Sequence, residues 1–173
     1  MTGFALKEEA LPFVLWARIW SQLVSDEERA EAWQLLDLPS SFSAQEDAYW
    51  TAFHVGLPAA PVSLLFHAAL DLDGTNVRED LMRVSGYLGL MGGGHRLPPD
   101  HLAAACEVLA MAFDRGEYVL VEELSRRYFH PWCRAAGEKL EEAAPTLKPL
   151  VQRFSQDLAL ALSMTREVTA KVL

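Results

Sequence analysis

Cysteine is scarce in this chain. Two occur in 173 residues, Cys106 and Cys133, and they form no C-x-x-C pair. That argues against a disulfide framework and favours a reducing compartment. Long apolar runs are missing too. No stretch reaches the roughly 18 consecutive apolar residues that mark a membrane-spanning helix, and Lys7-Glu8-Glu9 interrupts the N-terminal segment early. The expectation is therefore no signal peptide, no membrane insertion and a cytoplasmic location. Positive charge is in the minority, with 15 Lys and Arg against 24 Asp and Glu, a formal net charge of −9. Such a balance excludes a nucleic-acid binder, which must neutralise phosphates. It suits solubility, or a basic partner such as a Lys/Arg-bearing peptide.

Catalytic signatures are equally sparse. There is no G-x-S-x-G elbow, since Ser85-Gly86 lacks the first glycine and falls mid-helix, and no H-E-x-x-H pair. A zinc set could be drawn from His95, His101, Cys106, His130 and Cys133, but the spacings fit no compact ligand pattern. Asp71-Leu72-Asp73-Gly74 opens like a calcium loop, lacks the closing Glu, and reads as a turn. The acidic runs Asp26-Glu27-Glu28, Glu122-Glu123 and Glu141-Glu142 read as solvated faces. No metal site, no resident cofactor and no catalytic residue is expected.

What the chain does have is helical periodicity and large side chains: 51% of residues are hydrophobic, with five Trp, eight Phe and four Tyr. The central stretch runs from Leu97 to Trp132. Pro98-Pro99 is expected to open a helix, because a first-turn residue needs no N–H donor. Asp100 would then lie in its first turn, and Leu102, Cys106, Leu109 and Phe113 would share one face. After a break at Asp114-Arg115-Gly116-Glu117, a second helix is expected to end at His130-Pro131-Trp132, where proline breaks or kinks it.

Around this pair, a first helix is expected over about Leu6 to Val24, with Phe13, Trp16, Ala17, Trp20 and Leu23 on one face. Ser25 caps a second, burying Ala32, Trp33 and Leu36, and Ser43 with Glu46 a third, running to His54 or Val55. Pro61 starts a helix over Val62 to Leu72. Thr75 or Asn76 caps the next, through Leu90, with Leu81, Val84, Leu88 and Met91 on its buried face. A long helix from about Thr146 to Lys171 closes the chain on Leu147, Leu150, Phe154, Leu158 and Leu162. Tyr118-Val119-Leu120-Val121 fits a helix better than a strand. The fold expected is all-α, one globular domain of about eight helices spanning 1–173, with hinges near 92–97 and 114–117. Such hinges permit a monomer or a domain-swapped dimer.

Two further features have competing readings. Gly92-Gly93-Gly94-His95 could cradle phosphate, although it follows a helix and no Lys-Ser/Thr comes after it; a flexible cap is the plainer reading. Ser125-Arg126-Arg127-Tyr128-Phe129 has the look of a twin-arginine export motif, but it is internal and helical, so its arginines are expected to pair with Glu122 or Glu123.

Three blocks in order give the chain a family likeness: Tyr49-Trp50, Phe53, His54-Val55-Gly56 followed by Pro61-Val62-Ser63-Leu64; Tyr87, Gly89 and Leu90 leading to Pro98-Pro99-Asp100-His101-Leu102; and His130-Pro131-Trp132. With these, the sequence resembles the TorD/DmsD/NarJ family of cytoplasmic chaperones that mature molybdenum-cofactor enzymes. The resemblance implies a TorD-like helical fold and a non-enzymatic role. It implies as partner the precursor of a molybdoenzyme catalytic subunit, bound through its twin-arginine leader or its apo-form until molybdopterin guanine dinucleotide is in place. That cofactor belongs to the client, and the chaperone itself would bind GTP at most weakly. Carried over by position, the leader contacts are Trp50, Phe53, His54, Tyr87, Leu90, Pro99, Asp100 and His101. His54 stands where the family usually has Phe. His130, Pro131 and Trp132 would support the groove or hinge.

Five of these residues have a second reading. Asp100 could simply cap N–H groups, and His101 could be a satisfied structural histidine. Helical spacing does not separate core packing from groove lining for Trp50 and Phe53, and Trp132 reads as core. The alternative function, from another class, is a helical nucleotide- or metal-handling enzyme using Gly92–Gly94 and Asp100-His101.

Overall fold

The computed structural model describes residues 6–90 and 97–172. The fold is all-α: among the described residues there is no strand. In chain order the helices are α1 (Leu11–Trp20), α2 (Asp26–Leu35), α3 (Phe42–Phe53), α4 (Phe66–Leu70), α5 (Gly74–Tyr87), α6 (Leu102–Arg115), α7 (Tyr118–Leu124), α8 (His130–Ala143) and α9 (Lys148–Val172). A π-turn, Ser125–Phe129, joins α7 to α8 without a break, so these nine labels describe eight rods. No helix among the described residues is long and apolar enough to cross a membrane. The Gly92-Gly93-Gly94-His95 run, the neighbouring hinge, and Met91 lie outside the described residues.

α6 is the centre. Leu102, Cys106, Leu109 and Phe113 are buried as their spacing requires, but so are Ala103, Ala104, Ala105, Val108, Ala110 and Ala112. A helix buried nearly all round must be surrounded by other elements. α1 lies along it, with Phe13 stacked on Phe113 at 5.1 Å between ring centroids. α1 then carries Trp16 and Trp20 into an aromatic cluster, where Trp20 meets Phe53 at 5.3 Å, Trp132 at 5.4 Å and Phe154 at 5.6 Å. One ring from each of α3, α8 and α9 thus converges on α1. Each fully buried ring of this size contributes on the order of 2–3 kcal/mol.

Several expected boundaries move. α1 stops at Trp20, so Leu23 is outside the helix and 53% exposed. Ser25 and Glu28 do form a reciprocal capping box on α2. α3 is capped by Ser41 rather than Ser43, its hydroxyl accepting from the Ala44 N–H. α5 is capped by Asp73, not Thr75 or Asn76. Val62–Leu65 is not helical, with bends at Val62 and Leu64 and a single bridge at Leu65, and α4 begins only at Phe66.

Pro98-Pro99 does not open α6. His101 is its N-cap, with Nδ1 accepting from the Ala103 N–H at 3.1 Å, and the prolines precede the helix. Nor does Pro131 end the helix before it. The His130 N–H reaches back to the Ser125 carbonyl, a π register, and the added residue widens the turn ahead of the proline. A ring that cannot donate and would clash in a normal turn is thereby accommodated, and α8 continues to Ala143.

Candidate functional site

The non-helical strap after Pro61 ties together the polar spots that the sequence singles out. Its side chains alternate, with Val62, Leu64 and Phe66 buried and Ser63 and Leu65 half-buried. Leu65 and His101 form an isolated antiparallel bridge: the Phe66 N–H donates to the Asp100 carbonyl at 2.9 Å, and the Leu102 N–H to the Leu64 carbonyl at 2.7 Å. From the other side, the Trp132 indole donates to the Ser63 carbonyl at 2.8 Å. Phe66 stacks on Tyr128 of the π-turn at 5.4 Å. So Asp100-His101 and His130-Pro131-Trp132 meet through the strap.

Asp100 has no solvent exposure. One carboxylate oxygen accepts from Arg78 Nε at 3.0 Å, and the other accepts from His67 Nδ1 and, at 3.4 Å, from the His67 backbone N–H. Burial works to raise the carboxyl pKa, but the hydrogen bonds from His67 and Arg78 prevail and hold it below its ordinary value. An ionised carboxylate only accepts, so Nδ1 of His67 carries a proton. The partners of Asp100 are therefore the side chains of His67 and Arg78, partly exposed at 25% and 42%, together with the first-turn N–H of His67 on α4 rather than the N–H groups of its own following helix. Gly74 packs close against this imidazole, and a Cβ there would come within 3.1 Å of the His67 ring. Chemically the arrangement orients an imidazole, as in half of a catalytic triad. Among the described residues no Ser, Thr or Cys hydrogen-bonds its other ring nitrogen.

His101 is 7% exposed. Burial pushes its pKa down to about 4, against the opposing pull of Asp100. Its unprotonated Nδ1 is what lets it cap α6. Pro99 beside it is half-buried.

Trp50, Phe53 and His54 lie on α3 and its C-cap. Phe53 is buried in the aromatic cluster; Trp50 and His54 are half-buried with ring centroids 4.7 Å apart. The Tyr49 hydroxyl donates to the Ile19 carbonyl, so it accepts from His54 Nε2 at 2.9 Å. Burial first, then the charges of Arg29 and His101, bring the His54 pKa down to about 4. Tyr87 stands apart, 66% exposed, its hydroxyl donating to Glu117 at 2.8 Å. Leu90 is half-buried against the core, and His130 and Pro131 are half-buried where α8 begins, while Trp132 is fully buried.

Arg29 is a residue that sequence reasoning missed. It is completely buried. Its guanidinium binds the Ile19, Ser21 and Val24 carbonyls at the end of α1 and the Asp26 carboxylate, and lies 4.9 Å from the Trp50 ring centre and 5.2 Å from that of Tyr49. It therefore caps α1 and fixes the α3 aromatics. In sequence it is one more charge after three acids, with no signal of burial. His67 and Arg78 were missed for the same reason: their partner is 33 and 22 residues away. Of the twin arginines, Arg126 is placed as expected and Arg127 is not. Arg126 pairs with Glu123 at 2.7 Å, but Arg127 reaches Asp80 at 2.9 Å, and Glu122 pairs with Arg166.

Between α2 and α3 lies a cleft of about 570 Å³ lined by Asp26, Glu27, Glu31, Glu46, Ala30 and Phe42, among others. Positions 43, 46 and 50 recur on one face of α3, so the acidic cleft leads along the helix to Trp50 and His54. Beyond them Val55 is 62% and Leu57 fully exposed. Carboxylates at the start of α3 are thus followed in the chain by exposed apolar residues after its end. No group of three or more metal-ligating side chains occurs among the described residues. Set against protein families, curated proteins and solved structures, the chain matches none of them.

Proposed function

We propose that the protein is a non-enzymatic, cytoplasmic maturation chaperone of the TorD/DmsD/NarJ kind. Its client is the precursor of a molybdenum-cofactor oxidoreductase, held through its twin-arginine leader until the cofactor, which belongs to the client, is in place. The observation that carries this reading is the acidic cleft between α2 and α3, lined by Asp26, Glu27, Glu31 and Glu46, with half-buried Trp50 and His54 further along α3 and exposed Val55 and Leu57 following it in the chain. A twin-arginine leader has the complementary order, a basic segment followed by an apolar one. Charge would set its direction and apolar contact its affinity. Trp50 and His54 are then direct contacts. Asp100 and His101 act from beneath, by fixing the start of α6 and the strap, whose Val62 N–H donates to the Ala52 carbonyl of α3.

The test is titration of a synthetic leader peptide, S-R-R-x-F followed by an apolar stretch, by calorimetry. The parent should bind it, and Trp50→Ala and Glu27→Lys/Glu31→Lys should each weaken binding by about tenfold or more, that is about 1.4 kcal/mol or more. Binding that ignores both changes would remove this surface from the proposal, and no binding to any leader would remove the leader.

A further inference from the structure

A second cleft has the opposite sign. It is a space of about 680 Å³ between the π-turn and α8 on one side and α9 on the other. Arg126, Arg134, Lys148 and Arg166 line it, with Glu122 as the acid among the lining residues. In a chain of net charge −9 this is a local reversal of the field. Three of the cations already have a carboxylate: Arg126 has Glu123, Lys148 has Glu141 and Arg166 has Glu122. All three pairs are largely exposed, and such pairs are worth little and exchange readily. Arg134 has no carboxylate partner among the described residues, and its charge acts on the neighbouring His130, whose pKa burial and Arg134 together lower.

Val151, Leu162, Pro131 and Cys133 give the cleft apolar surface beside the polar Gln152 and Ser155. Gly137, on α8, also lines it, and a Cβ there would meet nothing within 4 Å. The α8 backbone is therefore open to close approach at mid-cleft.

We infer that this cleft docks an acidic amphipathic segment of a partner protein, its apolar side on Val151 and Leu162 and its carboxylates on Arg134 and the other lining cations. The open, elongated space between two long rods suits a polypeptide segment, and the cations together with the apolar surface select its composition. The inference does not depend on leader binding, since the acidic α2–α3 cleft is built from other residues.

The test uses the full chain and a fluorescein-labelled amphipathic helical peptide bearing Glu on its polar face, with a Gln-faced peptide of the same apolar side as control. Anisotropy should show saturable binding of the Glu peptide, weakening with salt, and at least about tenfold weaker binding of the Gln peptide. Arg134→Glu should cost about tenfold or more. Gly137→Leu fills the cleft and replaces a helix-interior glycine by a better helix former. It should therefore keep the helical circular dichroism and melting temperature while also abolishing binding. Glu27→Lys/Glu31→Lys should leave this peptide's affinity unreduced. Failure of the Glu peptide to bind, binding that survives both cleft variants, or saturable binding of tripolyphosphate but not of the peptide would each overturn the inference.

Discussion

Removing the Asp100 carboxylate should destabilise the fold measurably while leaving the leader-facing surface intact. Asp100 is fully buried and accepts hydrogen bonds from Arg78 and His67. A hydrogen bond to a charged group contributes about 1.5–3 kcal/mol. Two such bonds would give twice that, but Arg78 is 42% and His67 25% exposed, so both recover water when the carboxylate is gone. We therefore expect Asp100→Ala to cost roughly 2–4 kcal/mol, below the range for a pair with both partners buried. In a chain of this length that lowers the melting temperature by roughly 5–15 °C. Asp100→Asn keeps an acceptor for Arg78, and His67 can move its proton to the other nitrogen, so about 1–2 kcal/mol is expected. Urea denaturation followed by tryptophan fluorescence measures both. Because the folded carboxyl lies below its ordinary value, its contribution is complete above the unfolded pKa and is lost as pH falls through the folded one. The gap between parent and variant should hold from pH 7 to about pH 5 and close only below the ordinary aspartate value of about 4. Well below its melting temperature, Asp100→Asn should bind a leader peptide within about twofold of the parent, a difference of a few tenths of a kcal/mol. A loss under about 0.5 kcal/mol in Asp100→Ala, typical of a plain surface change, would refute the network.

Other outcomes follow from the buried groups around it. His101 is held at a pKa of about 4, so on acidification the unfolded chain takes up a proton that the folded one refuses, and stability is lost between the unfolded value and that of the fold. His101→Asn keeps a side-chain oxygen to cap α6 and removes the titration; it should flatten the fall in stability between pH 7 and pH 5 by about 2 kcal/mol, read from urea midpoints. An unchanged slope would mean that His101 is not the group responsible. Trp132→Phe retains a buried ring but strands the Ser63 carbonyl, and should cost about 2 kcal/mol in the same assay. A cost near zero would show that the strap does not depend on that bond.

The helical class, the buried stripe of α6, the Ser25–Glu28 capping box and the large apolar side chains of the core follow from local pattern. Periodicity of 3.6 residues and side-chain caps act within one or two turns, so one sequence window contains their cause. The strap is only partly legible, because Val62, Leu64 and Phe66 alternate after Pro61 but apolar Leu65 between them blurs period 2 into a short helix pattern. The continuation through Pro131 is not legible, because a π register costs one hydrogen bond that the packing of Phe129 and Trp132 outweighs.

Sequence alone also singled out Asp100-His101, His130-Pro131-Trp132 and the aromatics of α3. Only tertiary structure decided what they do. Asp100 proved to be a buried acceptor for His67 and Arg78, and His101 a cap. Arg29, unmarked in the sequence, became the cation beneath Tyr49 and Trp50. Net charge likewise said nothing of its own distribution, which the packing of α2 on α3 and of α8 on α9 divides into one acidic and one basic cleft. Local propensity is a property of neighbours in the chain. The partner of a charge, and whether water reaches it, depends on residues brought from tens of positions away, and those the fold alone assembles.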